Sequence, residues 1–337
     1  MKLRAWLGGG QRLGSVRPCS PMAARRVWRC HLPRPACHHS SGSAAAVTLD
    51  VVPEGTLSVR IAAVDLAIST ETESCDHISF EASGVAGLGL TSQGELAAEL
   101  VGTAEAAGGG ARPLLAGLIP AKYNVDIQSA GGDVKVGFLE GAATIDTAGG
   151  AIAVDKVTSA EIHLASGGGD LAARVLQGMV DINTLPLPGA EQPPGAVTIQ
   201  RLVSPTVEIA SGRVDVAAVY ADSYHIHTHG SGAPVTLGSS HTKDASTITT
   251  EGSDISIGSQ EGEGPMLVES RGGDVVIKLS RQMAEVRVVS GGGAITVKAA
   301  SDLSMRLEVS RAGGGVHIDA NHSFVPDEEG EEVIVTF

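Results

Sequence analysis

From Val125 to Ile318 one short phrase recurs ten times: apolar, polar, apolar, a small or Gly-rich turn, then a second apolar pair. The second apolar residue of each copy falls at Ile127, Ile145, Leu164, Ile182, Ile209, Thr228, Ile248, Val268, Val288 and Val309. Seven residues on lie Val134, Ile152, Leu171, Val216, Val235, Ile255, Val275, Ile295 and Val316, while the fourth copy reaches Val197 after an insertion. In-out-in alternation over three residues marks a strand, whose successive side chains leave on opposite faces. Copies start 18 to 21 residues apart, except for the 27 that hold the insertion. A short fixed period means stacked units that cannot bury their apolar faces alone. The pattern predicts an all-β fold, a single-stranded β-solenoid resembling a parallel β-helix, with ten coils over residues 123–320.

The turns fit this reading. Gly131-Gly132, Gly149-Gly150, Gly272-Gly273 and Gly292-Gly293 fall between the two strands of a coil, where glycine supplies tight backbone at little cost. Asp133, Asp170, Asp215, Asp254 and Asp274 precede the second strand and read as turn formers that bond to backbone rather than as catalysts. The insertion at 185–194 carries Pro186, Pro188, Pro193 and Pro194, which cannot donate to a ladder, so it should protrude as a loop. Residues 47–122 alternate at 56–61 and 77–81 without the later period; they predict an N-terminal β cap followed by a Gly-rich link at 108–110. Residues 321–337, acidic at 327–332 and apolar at 333–335, predict a C-terminal cap.

Composition narrows the core. Of 337 residues 44 are Gly, 42% are hydrophobic and only 3% are aromatic, so small aliphatic side chains must fill the interior. Charge then divides the chain. Lys2, Arg4, Arg12, Arg17, Arg25, Arg26, Arg29 and Arg34 precede the first acidic residue, Asp50. An Arg-rich, Ser-containing, acid-free start is the signature of an organelle transit peptide. Residues 1–46 are therefore expected to direct the protein to mitochondria, the matrix rather than the intermembrane space, with cleavage within 36–46. The remainder keeps 24 − 8 = 16 basic against 38 acidic residues. That surface repels nucleic acid and anionic lipid and suits a protein partner with a basic surface. Cys19, Cys30 and Cys37 leave with the leader, and Cys75 alone cannot form an intramolecular disulfide, which fits a reducing compartment. No apolar run approaches the roughly 18 to 20 residues of a membrane helix, so no transmembrane segment is expected.

Gly131-Gly132-Asp133-Val134-Lys135-Val136 and Gly272-Gly273-Asp274-Val275-Val276-Ile277 resemble the β-solenoid repeats of the putative adhesin family, long catalogued as a domain of unknown function. The Arg-rich start, the phrase Val52-Pro53-x-Gly55-x-Leu57-x-Val59-Arg60 and the repeats together are similar to the eukaryotic "family with sequence similarity 185". The resemblance covers residues 48–320 and implies a β-solenoid fold and the label adhesin. It transfers no catalytic residue.

Candidate chemistry is sparse. His225, His227 and His229 alternate and so share one strand face, and imidazole is a common ligand for Zn, Cu or Ni. With Thr228 and Ile226 inward, all three point outward. Beside the slots, Asp126, Asp146, His163, Asp181, Glu208 and His227 are expected in one external column. Carboxylates about 4.8 Å apart repel, so solvent, the interposed His163 or a cation must soften the column. The candidate metal ligands are therefore Asp146, His163, Asp181, Glu208, His225, His227 and His229. No Gly-x-Ser-x-Gly elbow, Walker loop or paired-Cys signature occurs, and no catalytic residue or cofactor is expected. The sequence reads as a non-enzymatic interaction or structural scaffold, with end-to-end self-association as a further mode. The rival is a cation-binding module or carboxylate-based enzyme on the outward Asp/His column.

Overall fold

The computed structural model describes residues 45–337 apart from 53, 72–75, 95, 105–111, 231, 282, 301–304, 320–331 and 337. The basic leader up to residue 44, Cys75, the glycines at 108–110 and the acidic stretch 327–331 lie outside the described residues. Regular structure among the described residues is strand throughout, and no helix is long and apolar enough to cross a membrane.

Two parallel ladders form a β-solenoid. In the first, Ile127, Ile145, Leu164, Ile182, Ile209, Ile226, Ile248, Val268, Val288 and Val309 stand in one pairing row. In the second, Val134, Ile152, Leu171, Val197, Val214, Val235, Ile255, Val275, Ile295 and Val316 do the same. Every residue of the first row is 2% exposed or less. Burying one such aliphatic side chain contributes roughly 1.5–3 kcal/mol, so each coil is held by its neighbours. The middle coils pass through both ladders as single bent strands, Ile152–Ala165, Leu171–Asn183, Ala196–Ser211 and Arg213–Thr228. Later coils divide into pairs such as Val235–Thr242 and Ser246–Thr250.

Two expected slots shift by two residues. Ile226, not Thr228, pairs with Ile209 and Ile248, and Val214, not Val216, pairs with Val197 and Val235. The cause is turn length. Only Gly212 separates two strands at one corner, and the next corner takes up the slack over residues 229–234. A shift of two preserves the strand faces, so inward and outward sides stand as expected. Asp215 moves out of the turn into the strand, opposite Thr198 and Thr236.

The N-terminal segment does more than cap. Thr56–Ala62 and Asp65–Glu71 form a coil stacked on the first repeat, with Val59 opposite Ile127 and Leu66 opposite Val134. Ala97–Ala104 and Leu114–Pro120 stack on its other side, Leu100 on Val59 and Leu115 on Leu66. A later coil thus lies outside an earlier one. Antiparallel strands finish this end: His77–Ser83 on Leu114–Pro120, Ala45–Asp50 on His77–Ser83, and Val85–Ser92 on Ala97–Ala104. At the other end Glu332–Thr336 pairs antiparallel with Arg306–Arg311. Residues 185–194 contain no strand and leave the stack as a loop.

Candidate functional site

The corner that follows the first ladder is built the same way in coil after coil. Two residues past every slot but the last, where Arg311 stands, lies a buried hydroxyl: Ser129, Thr147, Ser166, Thr184, Ser211, Thr228, Thr250, Ser270 and Ser290. Ser129 donates to the Gly132 carbonyl at 3.2 Å, Thr250 to Ser253 at 2.7 Å, Ser270 to Gly273 at 3.0 Å and Ser290 to Gly293 at 3.0 Å. Backbones approach closely here. A Cβ on Gly150 would lie 2.1 Å from the Gly132 carbonyl oxygen, which explains the glycine. The aspartates complete the corner by bonding between coils: Asp133 accepts from the Ala151 N–H at 2.8 Å, Asp254 from Asp274 at 2.9 Å and Asp274 from Ala294 at 2.8 Å. Their role is structural, as the sequence suggested, although the bond reaches the next coil rather than the local turn.

Thr184 and Ser211 bond to other carbonyls, of Gly195 and Arg213, and one corner departs further. The Thr228 hydroxyl is buried and has no partner among the described residues. Around it the His227 and His229 rings stack with centroids 4.1 Å apart at 25°. Glu251 arrives from the next coil, its Oε1 3.5 Å from His229 Nδ1 and its Oε2 accepting the Gly230 N–H at 3.2 Å. One ligand atom from each of His227, His229 and Glu251 lies within 4.8 Å of the others. The Nε2 of His227 is buried and without a hydrogen-bond partner among the described residues. Burial, reinforced by His229, pushes the His227 imidazole below its ordinary pKa. The Gly230 N–H, aided by both imidazoles and Arg271, holds the Glu251 carboxyl below the usual carboxylate range.

The other sequence candidates disperse. Asp126, His163, Asp181 and Glu208 do share one outward row, but Thr144 occupies it between Asp126 and His163, and His225 follows Glu208. Asp146 sits just past its slot, not before it, beside Gln128 and Ala165. Its Oδ1 accepts the Ala148 N–H at 3.1 Å, a turn cap. His227 belongs to that neighbouring row as well, opposite Ala210 and Thr249. The acidic row is balanced by direct contacts, His163 Nδ1 to Asp181 Oδ2 at 2.8 Å and Arg60 to Asp126 at 3.3 Å. Glu251 was absent from the sequence candidates, because it lies 22 residues beyond His229 and meets it only through stacking. A second feature, an open groove of about 730 Å³, runs along the bend between the ladders past Gln177, Ser204, Tyr220, Asp222, Lys243 and Glu263. Arg201 lies over the Tyr220 ring there, 5.3 Å from its centroid.

Residues 118–333 match the family described as Toastrack DUF4097, a span of well over half the chain. The protein belongs to the Toastrack family. The Toastrack span holds the regular coils and the His227 corner, whereas the coil at 56–71 precedes it. Among solved structures the chain is similar to a putative adhesin from Parabacteroides distasonis, at 12% identity over 82% of this chain and 98% of that one, with a TM-score of 0.39. A putative adhesin from Parabacteroides merdae shows 9% identity over 84% and 98%, with a TM-score of 0.34. One from Bacteroides fragilis shows 12% over 83% and 98%, with a TM-score of 0.27. No curated protein matches the chain in sequence.

Proposed function

We propose that this Toastrack protein is a non-enzymatic, adhesin-like interaction scaffold of the mitochondrial matrix, presenting an acidic face to a basic protein partner. The observation that carries this reading is the outward row from Asp126 through His163, Asp181 and Glu208 to His225. Parallel pairing sets successive coils of this row about 4.8 Å apart on a rigid backbone, with Thr144 between Asp126 and His163, so that Asp181 and Glu208 present carboxylates on adjacent coils that basic side chains of a partner can meet. The surplus of acidic residues beyond the leader favours such a partner over nucleic acid. Of the three tyrosines, Tyr123 and Tyr224 are buried and Tyr220 alone is substantially exposed, at 44%, which supports a protein rather than a glycan ligand. Carboxylate chemistry on the row is the weaker reading, since Asp146 lies outside it and caps the turn at Ala148, while Asp181 is engaged by His163. The acid-free, Arg-rich leader supports import. Each end strand, Ala45–Asp50 and Glu332–Thr336, pairs on one side only among the described residues, a geometry that end-to-end self-association would use.

The test has two arms. A fluorescent fusion of the full chain should enter mitochondria and lose the leader, and one that stays cytosolic sinks the location. Cross-linking in intact mitochondria should then join the wild-type protein to a partner that the Asp126→Lys, Asp181→Lys, Glu208→Lys triple variant does not capture. An identical set of cross-linked proteins for both forms would rule the acidic row out as the docking face.

A further inference from the structure

We propose that His227, His229 and Glu251 bind one divalent transition-metal ion of the zinc class, with a fourth coordination position left open at the surface. Two imidazole nitrogens and one carboxylate oxygen suit Zn²⁺, Co²⁺, Ni²⁺ or Cu²⁺, whereas Ca²⁺ and Mg²⁺ demand oxygen shells. Tetrahedral bonds of about 2.0–2.2 Å place donor atoms roughly 3.3 Å apart. His229 Nδ1 and Glu251 Oε1 are already 3.5 Å apart, and one ligand atom from each of His227, His229 and Glu251 lies within 4.8 Å of the others. Side-chain rotation alone closes the set, because parallel pairing holds His227 between Ala210 and Thr249 and the His229 N–H donates to the Ser211 carbonyl at 2.9 Å.

Three independent features point to a ligand rather than to a solvated surface cluster. The buried Nε2 of His227 lacks any partner among the described residues, so a metal there replaces no existing bond. Glu251 is oriented beforehand, since the Gly230 N–H engages Oε2 and leaves Oε1 beside His229, the outer-shell support typical of metal carboxylates. The surrounding turn has also abandoned the hydroxyl-to-carbonyl bond that the neighbouring corners make: Thr228 is unsatisfied, and Ser253 instead pins the long loop, accepting from Ala233 N–H at 2.6 Å and donating to Gly230 O at 3.0 Å. Arg271 occupies the position equivalent to Glu251 one coil further on. Its charge weakens cation binding and offers a way to tune it.

The experiment uses the full chain, with Cys19, Cys30 and Cys37 changed to Ser and His31, His38 and His39 to Asn to remove competing ligands from the leader. Calorimetry with ZnCl₂, and with CoCl₂ for its visible spectrum, should give one saturable equivalent with Kd at or below about 10 μM. His227→Asn and His229→Asn should each weaken binding at least about tenfold, and Glu251→Gln several-fold, while Arg271→Gln tightens it. His225→Asn and His163→Asn, equally on the outward face, should leave it within about twofold. Circular dichroism in chelator checks that each variant folds; should His227→Asn fail, His229→Asn and Glu251→Gln decide. No saturable binding up to about 100 μM, or binding undiminished in His229→Asn, or lost in His225→Asn instead, overturns the site.

Discussion

The corner at Thr250 and the corner at Thr228 are one coil apart and start from the same residue type, yet they have different fates. At Thr250 the hydroxyl bonds to the Ser253 carbonyl, and the neighbouring coils repeat the arrangement with Ser270 and Ser290. At Thr228 the hydroxyl has no partner among the described residues, the turn is longer, and two histidines and a glutamate gather beside it. In a solenoid, a feature present in many coils answers to stacking, which every coil shares. A feature present in one coil, obtained by giving up a hydrogen bond, answers to something else, and sites where local rules are broken are where function is expected. The same contrast separates Asp274, which ties coils together, from Glu251, which faces an imidazole.

The ladder common to both corners should respond most. Val288→Asp puts an unpaired carboxylate into a position that is 0% exposed and should cost about 3 kcal/mol or more. Arg287→Gln, on the other face, loses only the contact to Glu308 at 3.3 Å and should cost about 1 kcal/mol or less. Equal melting temperatures for the two would show that the register is wrong. Next come the turns themselves. Gly150→Ala drives a methyl to 2.1 Å from the Gly132 carbonyl oxygen and should cost about 1–3 kcal/mol. Gly230 has open space around it and a φ of 96°, so Gly230→Ala should cost only the conformational strain, about 1–2 kcal/mol. If Gly230→Ala is the more damaging in chemical denaturation, the long turn is packed and not permissive.

The hydroxyls sharpen the comparison further, because they predict opposite signs. Thr250→Val removes a made hydrogen bond and should destabilise by about 1 kcal/mol. Thr228→Val swaps an unsatisfied buried hydroxyl for a methyl of similar shape and should be neutral or stabilising by up to about 1 kcal/mol. Matching losses would mean that Thr228 has a partner after all. The smallest effect lies on the outer face, where the Arg174 hydrogen bond holds the Asp155 carboxyl below its ordinary value of 3.8. A depressed folded pKa stabilises above the unfolded value and is lost as pH falls through the folded one. Wild type should therefore lose slightly more melting temperature than Arg174→Gln on going from pH 5 to about pH 2. Parallel curves would show that the pair contributes nothing.

Much of this molecule is written in its periodicity. Alternation over two residues decided which side chains face inward, and recurrence near twenty residues decided that coils stack; Ile127, Ile145 and Val288 occupy the interior positions that pattern assigns. The buried hydroxyl column was equally visible, since Ser or Thr stands two residues past slot after slot, but a search for apolar residues passes over it. What stands opposite what was not visible. Register depends on the running sum of turn lengths, and the single-residue turn at Gly212 is offset by the long one at 229–234, so a uniform seven-residue rule placed Thr228 and Val216 two positions off. The order of the first coils is hidden for a related reason: a coil offers two faces, and nothing local says that Ala97–Ala104 and Leu114–Pro120 dock on the far side of Thr56–Ala62 and Asp65–Glu71. Glu251 meets His227 and His229 only because stacking converts a separation of about one coil into neighbouring positions. Period is a property of each strand and survives in the sequence, whereas register belongs to pairs of strands and exists only once the coils have stacked.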